Sequence, residues 1–316
     1  MFRLSLCATA LAVLVGCDVR FNAGPVANPA TSKTAPGAAP DVKKGEDPAE
    51  VALKWLNGKV TRDKTQPDNP VVAIRLFSQE VTDDDLKELS PFKSLKKLEV
   101  SGEKLTGTGF AALTELPLEE LNVGWAKGTT DDGMKEIAKI KTLKVLKLSQ
   151  GKHTDDGVKA LAALPNLEEL SVSAGVNDTG FYPFKGHKKL RKVSATNCGV
   201  GDGAMKALVE CPEMRVLELY GSAVTDLGYG YVGKMSKLEE LRTSYRITDK
   251  GLAELGKLDK LRNLSVWNSS VTIKGVRALP NLKNLKDLDI STWNVKAEEA
   301  DKLRDELPGC NVRFSK

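Results

Sequence analysis

Residues 238–255 read LEELRTSYRITDKGLAEL, and this stretch decides the fold. Its first part, Leu238-x-x-Leu241-x-Thr243, places one face of a short extended segment inward, because successive side chains on a strand point to opposite sides. Its second part, Ile247-Thr248-Asp249-Lys250-Gly251-Leu252, followed by Leu255, changes to the three-to-four-residue spacing of a helix. Thr248 is a suitable N-cap, and Asp249 in the first turn suits the positive end of the helix dipole. Strand, turn, helix and turn thus follow within one short segment.

The same segment recurs along the chain. Apolar triplets appear as Val71-Ile74-Leu76, Leu95-Leu98-Val100, Leu118-Leu121-Val123, Leu143-Leu146-Leu148 and Leu167-Leu170-Val172. They continue as Leu190-Val193-Ala195, Met214-Leu217-Leu219, Leu238-Leu241-Thr243, Leu261-Leu264-Val266 and Leu285-Leu288-Ile290. The middle positions, 74, 98, 121, 146, 170, 193, 217, 241, 264 and 288, lie 23 to 25 residues apart. No single unit can bury its apolar stripe, so neighbours must stack. Identical connections make the strands parallel. Helices, being wider, are expected on a convex outer side, leaving a concave sheet roughly 45 Å long. The expected fold class is therefore α/β, a solenoid of about ten 23–25-residue strand-turn-helix repeats. Pro183 should disturb the helix of the fifth.

These residues resemble the leucine-rich-repeat family, in particular its bacterial T-D-x-G-[LVM]-x-x-L subtype, over about residues 71–314. The resemblance implies ligand binding on the concave face. One departure concerns the asparagine that many members carry after the strand, where this chain has Glu103, Gly151, Cys198, Ser222, Arg246 or Trp293. The inner hydrogen bonds must be made otherwise, by backbone or by Ser and Cys.

Working outward, Lys296–Leu307 and Asn311–Phe314 form an expected C-terminal cap within 296–316, and residues 47–70 an N-terminal cap. That front cap starts as a helix at Asp47-Pro48, with a short strand at Lys59–Arg62. Repeats occupy 71–295 between them, and both ends are expected to be complete. Before residue 47 the composition changes. Residues 1–17, MFRLSLCATALAVLVGC, carry Arg3, a short apolar run and Leu14-Val15-Gly16-Cys17. The tetrapeptide resembles a bacterial lipobox, which implies a signal peptide at 1–16, cleavage before Cys17 and diacylglyceryl transfer to its thiolate. Residues 17–46 then form the lipidated cysteine and a tether rich in Ala, Pro, Gly, Ser and Thr. Such a stretch buries too little surface to offset its ordering entropy, and flexible-chain scaling gives it a span of roughly 30 Å. The expected location is the cell envelope, on the periplasmic or outer-surface side.

Composition narrows the function. The chain has 47 Lys and Arg against 42 Asp and Glu, interspersed, which is not the clustered basic surface of a nucleic-acid binder. Three cysteines remain beyond the leader, at 198, 211 and 310, with two histidines, at no metal-ligand spacing. Ordinary half-buried thiols are expected, though a Cys198–Cys211 pair stays open. Glycine-rich phosphate loops, HExxH and GxSxG are absent. The Asp pairs 84/85, 131/132 and 155/156 follow a Thr at fixed spacing, which reads as helix capping. Asp287 and Asp289 share one side of a strand without a cleft to mark them. Neither enzyme chemistry nor a cofactor is expected.

The outward strand positions carry the candidate site. Charged and small residues fill the early strands. Later ones bring Tyr220, Arg242, Ser244 and Trp267 outward, with Tyr245 and Trp293 just past the strand ends. Exposed Tyr, Trp and Arg on one surface have the composition of a binding hot spot, although such rings also cover turn rims. The expected ligand-binding set is Tyr220, Arg242, Tyr245, Trp267 and Trp293, taking a protein partner of the cell envelope. The alternative is a carbohydrate or cell-wall ligand, since aromatic rings beside Asn and Asp also suit sugars.

Overall fold

The computed structural model describes residues 58–314 together with Val51 and Lys54, apart from Gln79, Trp125, Asn281 and residues 292–294. The expected signal peptide, Cys17 and the tether lie outside the described residues, as does nearly all of the front helix.

Among the described residues, twelve strands form one sheet in sequence order, β1 (Lys59–Arg62), β2 (Val71–Phe77), β3 (Lys97–Ser101), β4 (Glu120–Val123), β5 (Val145–Leu148) and β6 (Glu169–Val172). They continue as β7 (Lys192–Ala195), β8 (Val216–Glu218), β9 (Glu240–Arg242), β10 (Asn263–Trp267), β11 (Asp287–Ser291) and β12 (Asn311–Phe314). β1 runs antiparallel to β2, and every later pair is parallel. The register follows the repeat. Ile74, Leu98, Leu121, Leu146, Leu170, Val193, Leu217, Leu241, Leu264, Leu288 and Val312 pair in one row across the sheet. All are buried. A leucine in such a row contributes about 2 kcal/mol through burial alone.

Short helices lie behind the strands: α1 (Asp83–Lys87), α2 (Asp131–Ile137), α3 (Asp155–Leu161), α4 (Asp202–Leu208), α5 (Asp226–Val232), α6 (Asp249–Glu254) and α7 (Ile273–Arg277). α8 (Ala297–Glu306) follows the last repeat. Two repeats carry 3-10 turns instead. Asp178–Phe184 contains Pro183, as its sequence requires, and Thr108–Leu113 is a second exception that its sequence did not announce.

The T-D-x-G motif has a larger role than capping. Thr130, Thr154, Thr225, Thr248 and Thr272 do cap their helices through the side chain. The aspartate at the first helical position, in the repeats that have one, reaches forward into the next repeat. Asp202 accepts from the Thr225 backbone N–H at 2.8 Å and its hydroxyl at 2.7 Å. Asp226 does the same for Thr248, and Asp249 for Thr272. Asp83 takes Thr106 and also the N–H groups of Gly107 and Gly109, while Asp131 takes Thr154 and Gly157. Asp178 holds the N–H groups of Gly201, Gly203 and Ala204.

This forward reach explains the glycine. A Cβ on Gly275 would stand 2.1 Å from the Asp249 carboxylate, and one on Gly251 would stand 2.4 Å from that of Asp226. Where two acids follow the threonine, the second pairs with a lysine three residues on: Asp132 with Lys135, and Asp156 with Lys159, each at 2.7 Å. Among the described repeats the chain of carboxylates is interrupted at Gly107 and at Ile273. Gly107 stands where the aspartate would be, and Thr130 bonds instead to the Thr106 carbonyl.

In the turn just before each of these helices, where the asparagine is missing, backbone does the work. Lys152 N–H donates to Thr129 O, Gly199 N–H to Val176 O and Ala223 N–H to Val200 O. The Ser222 hydroxyl, a candidate for that role, is buried without a partner.

Candidate binding face

Three lateral rows cross the exposed side of the sheet. The first two are charged, and their early members neutralise one another. Arg75 pairs with Glu99 at 2.9 Å, and Lys97 with Glu120 at 3.0 Å and Glu99 at 3.4 Å. The Lys97 ammonium is raised above its usual range chiefly by the hydrogen bond it donates to Glu120. Further on, Lys192 meets Glu218 at 3.2 Å. Burial works to raise the Glu218 carboxyl, but the Ser194 hydroxyl, Lys192 and the Arg242 charge together hold it below the carboxylate range.

The third row lies at the strand ends and is uncharged. It runs Phe77, Ser101, Gly124, Ser149, Ser173, Thr196, Tyr220, Ser244, Trp267 and Ser291. Tyr220 is 39 % exposed, and its ring meets that of Trp267 edge-on, with centroids 4.6 Å apart. The pair therefore spans two repeats. Arg242 is exposed on β9 between Glu218 and Ser265. Tyr245 is 46 % exposed in the turn after β9 and engages Arg246, which donates from Nε to the phenol oxygen at 3.1 Å and lies 5.5 Å from the ring centre. Thus the structure joins Tyr220 to Trp267, keeps Arg242 beside them on the open sheet, and couples Tyr245 to a different partner. Trp293 lies outside the described residues.

Ser244 corrects the sequence reading. It was expected on the open face, yet it is fully buried. Its hydroxyl donates to Val224 O at 2.6 Å, and its N–H donates to the Tyr229 phenol at 2.7 Å. Tyr229 occupies an inward helix position that alternation alone marks as apolar, so nothing in its own repeat signalled the polar contact.

Between Tyr220 and the earlier strands lies a shallow depression lined by Ser149, Gln150, Ser173, Ala174 and Asn197. Asn197 N–H donates to Tyr220 O at 2.9 Å, which ties this polar trough to the aromatic pair. At the far end of the row Phe77 is 63 % exposed.

Reactive groups are not gathered here. Among the described residues no three His, Cys, Asp or Glu side chains stand together as metal ligands. Cys198, Cys211 and Cys310 are separate thiols, and burial pushes that of Cys211 up to about 11, away from nucleophilic use. Asp287 accepts from the Asn311 amide at 3.0 Å on an open strand. No helix among the described residues is long and apolar enough to cross a membrane.

An internalin from Listeria monocytogenes resembles the chain in solved structure, with 18% identity, 73% of this chain and 70% of that chain covered, and a TM-score of 0.50. A chain of the yeast Rad7–Elc1 complex is similar more loosely, at 19% identity, 75% and 81% coverage and a TM-score of 0.41. No protein-family model matches, and no curated protein matches in sequence. At 18% identity the likeness to the internalin speaks for the fold. Together with the register and the repeating corner, it makes the fold an α/β leucine-rich-repeat solenoid.

Proposed function

We propose that the protein is a lipid-anchored binding module of a bacterial envelope, which captures a protein partner on the later half of its sheet face and does no chemistry of its own. The observation that carries the docking surface is the Tyr220–Trp267 pair, Tyr220 exposed and Trp267 half-buried, with the exposed Arg242 beside it. Rings held in the open contribute little to the fold but lose wet surface against a partner, as hot-spot residues do. The anchor rests on Leu14-Val15-Gly16-Cys17 and the polar tether behind it.

The polar trough favours a second reading, a neutral glycan, because hydroxyl and amide groups beside an aromatic pair suit a sugar chain. One experiment separates the two. The full-length protein is crosslinked in intact cells and recovered, and peptidoglycan sedimentation is run in parallel. A discrete crosslinked protein without sedimentation supports the first reading, while sedimentation without a crosslinked protein supports the second. For the anchor, labelled palmitate should enter the wild type and not Cys17→Ala. Equal labelling would remove the lipid from the proposal.

A further inference from the structure

We infer that Tyr229, in the layer beneath the sheet, positions the Tyr220–Trp267 pair by drawing Ser244 out from between the rings. The inference rests on reading that pair as the docking surface.

Parallel strands stand about 4.8 Å apart, so the backbones of Tyr220 and Trp267, two strands removed, are roughly 10 Å apart. Their rings meet at 4.6 Å only because the residue between them, Ser244, contributes nothing to the face. Its equivalents Ser149, Ser173, Thr196 and Ser291 are all partly exposed. Ser244 differs in its partners. Its N–H donates to the Tyr229 phenol at 2.7 Å, the phenol donates to its Oγ at 3.2 Å, and that Oγ donates onward to Val224 O at 2.6 Å. Arg246 N–H adds a further donor to the same Oγ at 3.3 Å.

Tyr229 is suited to this role by its place. It lies on α5 at the inward position held in other repeats by Leu86, Met134, Val158, Met205, Leu252 and Val276, all without a polar tip. It is fully buried, and burial pushes the phenol up to about 12, so it remains a donor at neutral pH. A phenylalanine would fill the same space but leave the Ser244 N–H buried without an acceptor. Such a loss is relieved when the segment turns outward to water, which places the Ser244 side chain between the rings.

The test uses the full chain labelled with fluorotryptophan, with the Trp267 fluorine signal assigned through Trp267→Phe. Tyr220→Leu removes the neighbouring ring and sets the size of the shift that loss of pairing produces. Tyr229→Phe should shift the signal by at least half as much, and Tyr229→Phe with Tyr220→Leu should add nothing to Tyr220→Leu alone. Ser244→Leu, whose side chain cannot fit inward, should give the same shift with Tyr229 intact. If Tyr229→Phe lowers the melting temperature while the Trp267 signal stays at its wild-type position, Tyr229 is an ordinary core residue and the inference fails. If Tyr229→Phe does not fold, Ser244→Leu decides, and an unmoved signal there overturns the inference. A Tyr220 and Trp267 double-alanine variant that captures its partner normally would instead overturn the docking reading, whatever the fluorine signal does.

Discussion

Two corners of each repeat behave in opposite ways. Where the helix begins, most units keep at least two of a threonine, an aspartate and a glycine at fixed places, and Asp202, Asp226 and Asp249 each cross to the next unit with the same bonds. Where the strand ends, the third row changes from Phe77 through serines to Tyr220 and Trp267. Identical neighbours are what stacking needs, since each unit is stabilised chiefly by the next. Variation at the strand ends costs the stack little, which leaves that surface open to recognition. The contrast separates residues that hold the solenoid from those on which the proposed docking surface rests.

The largest effect should come from breaking the repeat itself. Deleting the whole period Leu143–Asn166 should leave a shorter, cooperatively unfolding protein, because the strands and aspartates rejoin in register. Deleting only half of it should abolish the cooperative urea transition. Equal behaviour of the two deletions would mean that the corner does not transmit register.

A finer break targets one carboxylate. Asp249→Ala removes two charge-assisted bonds to Thr272 and should cost about 2 kcal/mol in urea unfolding. Gly275→Ala should cost a similar amount, about 2 kcal/mol, by overpacking against that carboxylate. In the double variant the methyl gains room, so the total should fall short of the sum by about 1 kcal/mol. Simple additivity would show that the aspartate is not what demands glycine.

Much of this was legible in the sequence, and the limits are physical. Strand positions followed from the triplets because side-chain alternation leaves one solution once a face is buried. The forward reach of Asp202, Asp226 and Asp249 was not legible. A helix-capping acid and an acid bonded to the next repeat share the same place at the first helical position. Gly251 and Gly275 carried the missing signal, since nothing in a lone helix requires glycine there. Tyr220, Arg242 and Trp267 were legible as outward residues, but their pairing was not. It depends on Ser244, whose inward turn is set by Tyr229, fifteen residues away.

His153 sharpens the comparison from inside the repeated corner. It stands where other units place Val81, Val224 or Ile247, and it is buried with neither ring nitrogen bonded. Burial pushes the imidazole below its ordinary value, with the Asp131 charge opposing. The unfolded chain therefore binds a proton near pH 6.5 that the folded chain refuses. Stability should be unaffected by this group above that pH and should fall as pH drops below it. The slope approaches about 1.4 kcal/mol per pH unit until the folded value is reached. His153→Val should flatten the urea midpoint between pH 6.5 and 5.5. A slope that survives the substitution would place the titration elsewhere.

The claim that the variable strand ends carry the function meets its most direct test in partner capture. Tyr220→Ala with Trp267→Ala should weaken capture of the crosslinked partner by about 2 kcal/mol, roughly thirtyfold, as truncation of hot-spot residues does. Their melting should change by no more than the equivalent of about 0.5 kcal/mol. Lys159→Ala with Lys206→Ala, on the helical side, should leave both unchanged. Capture lost with the lysine pair and kept with the aromatic pair would contradict the account and move the site to the helices.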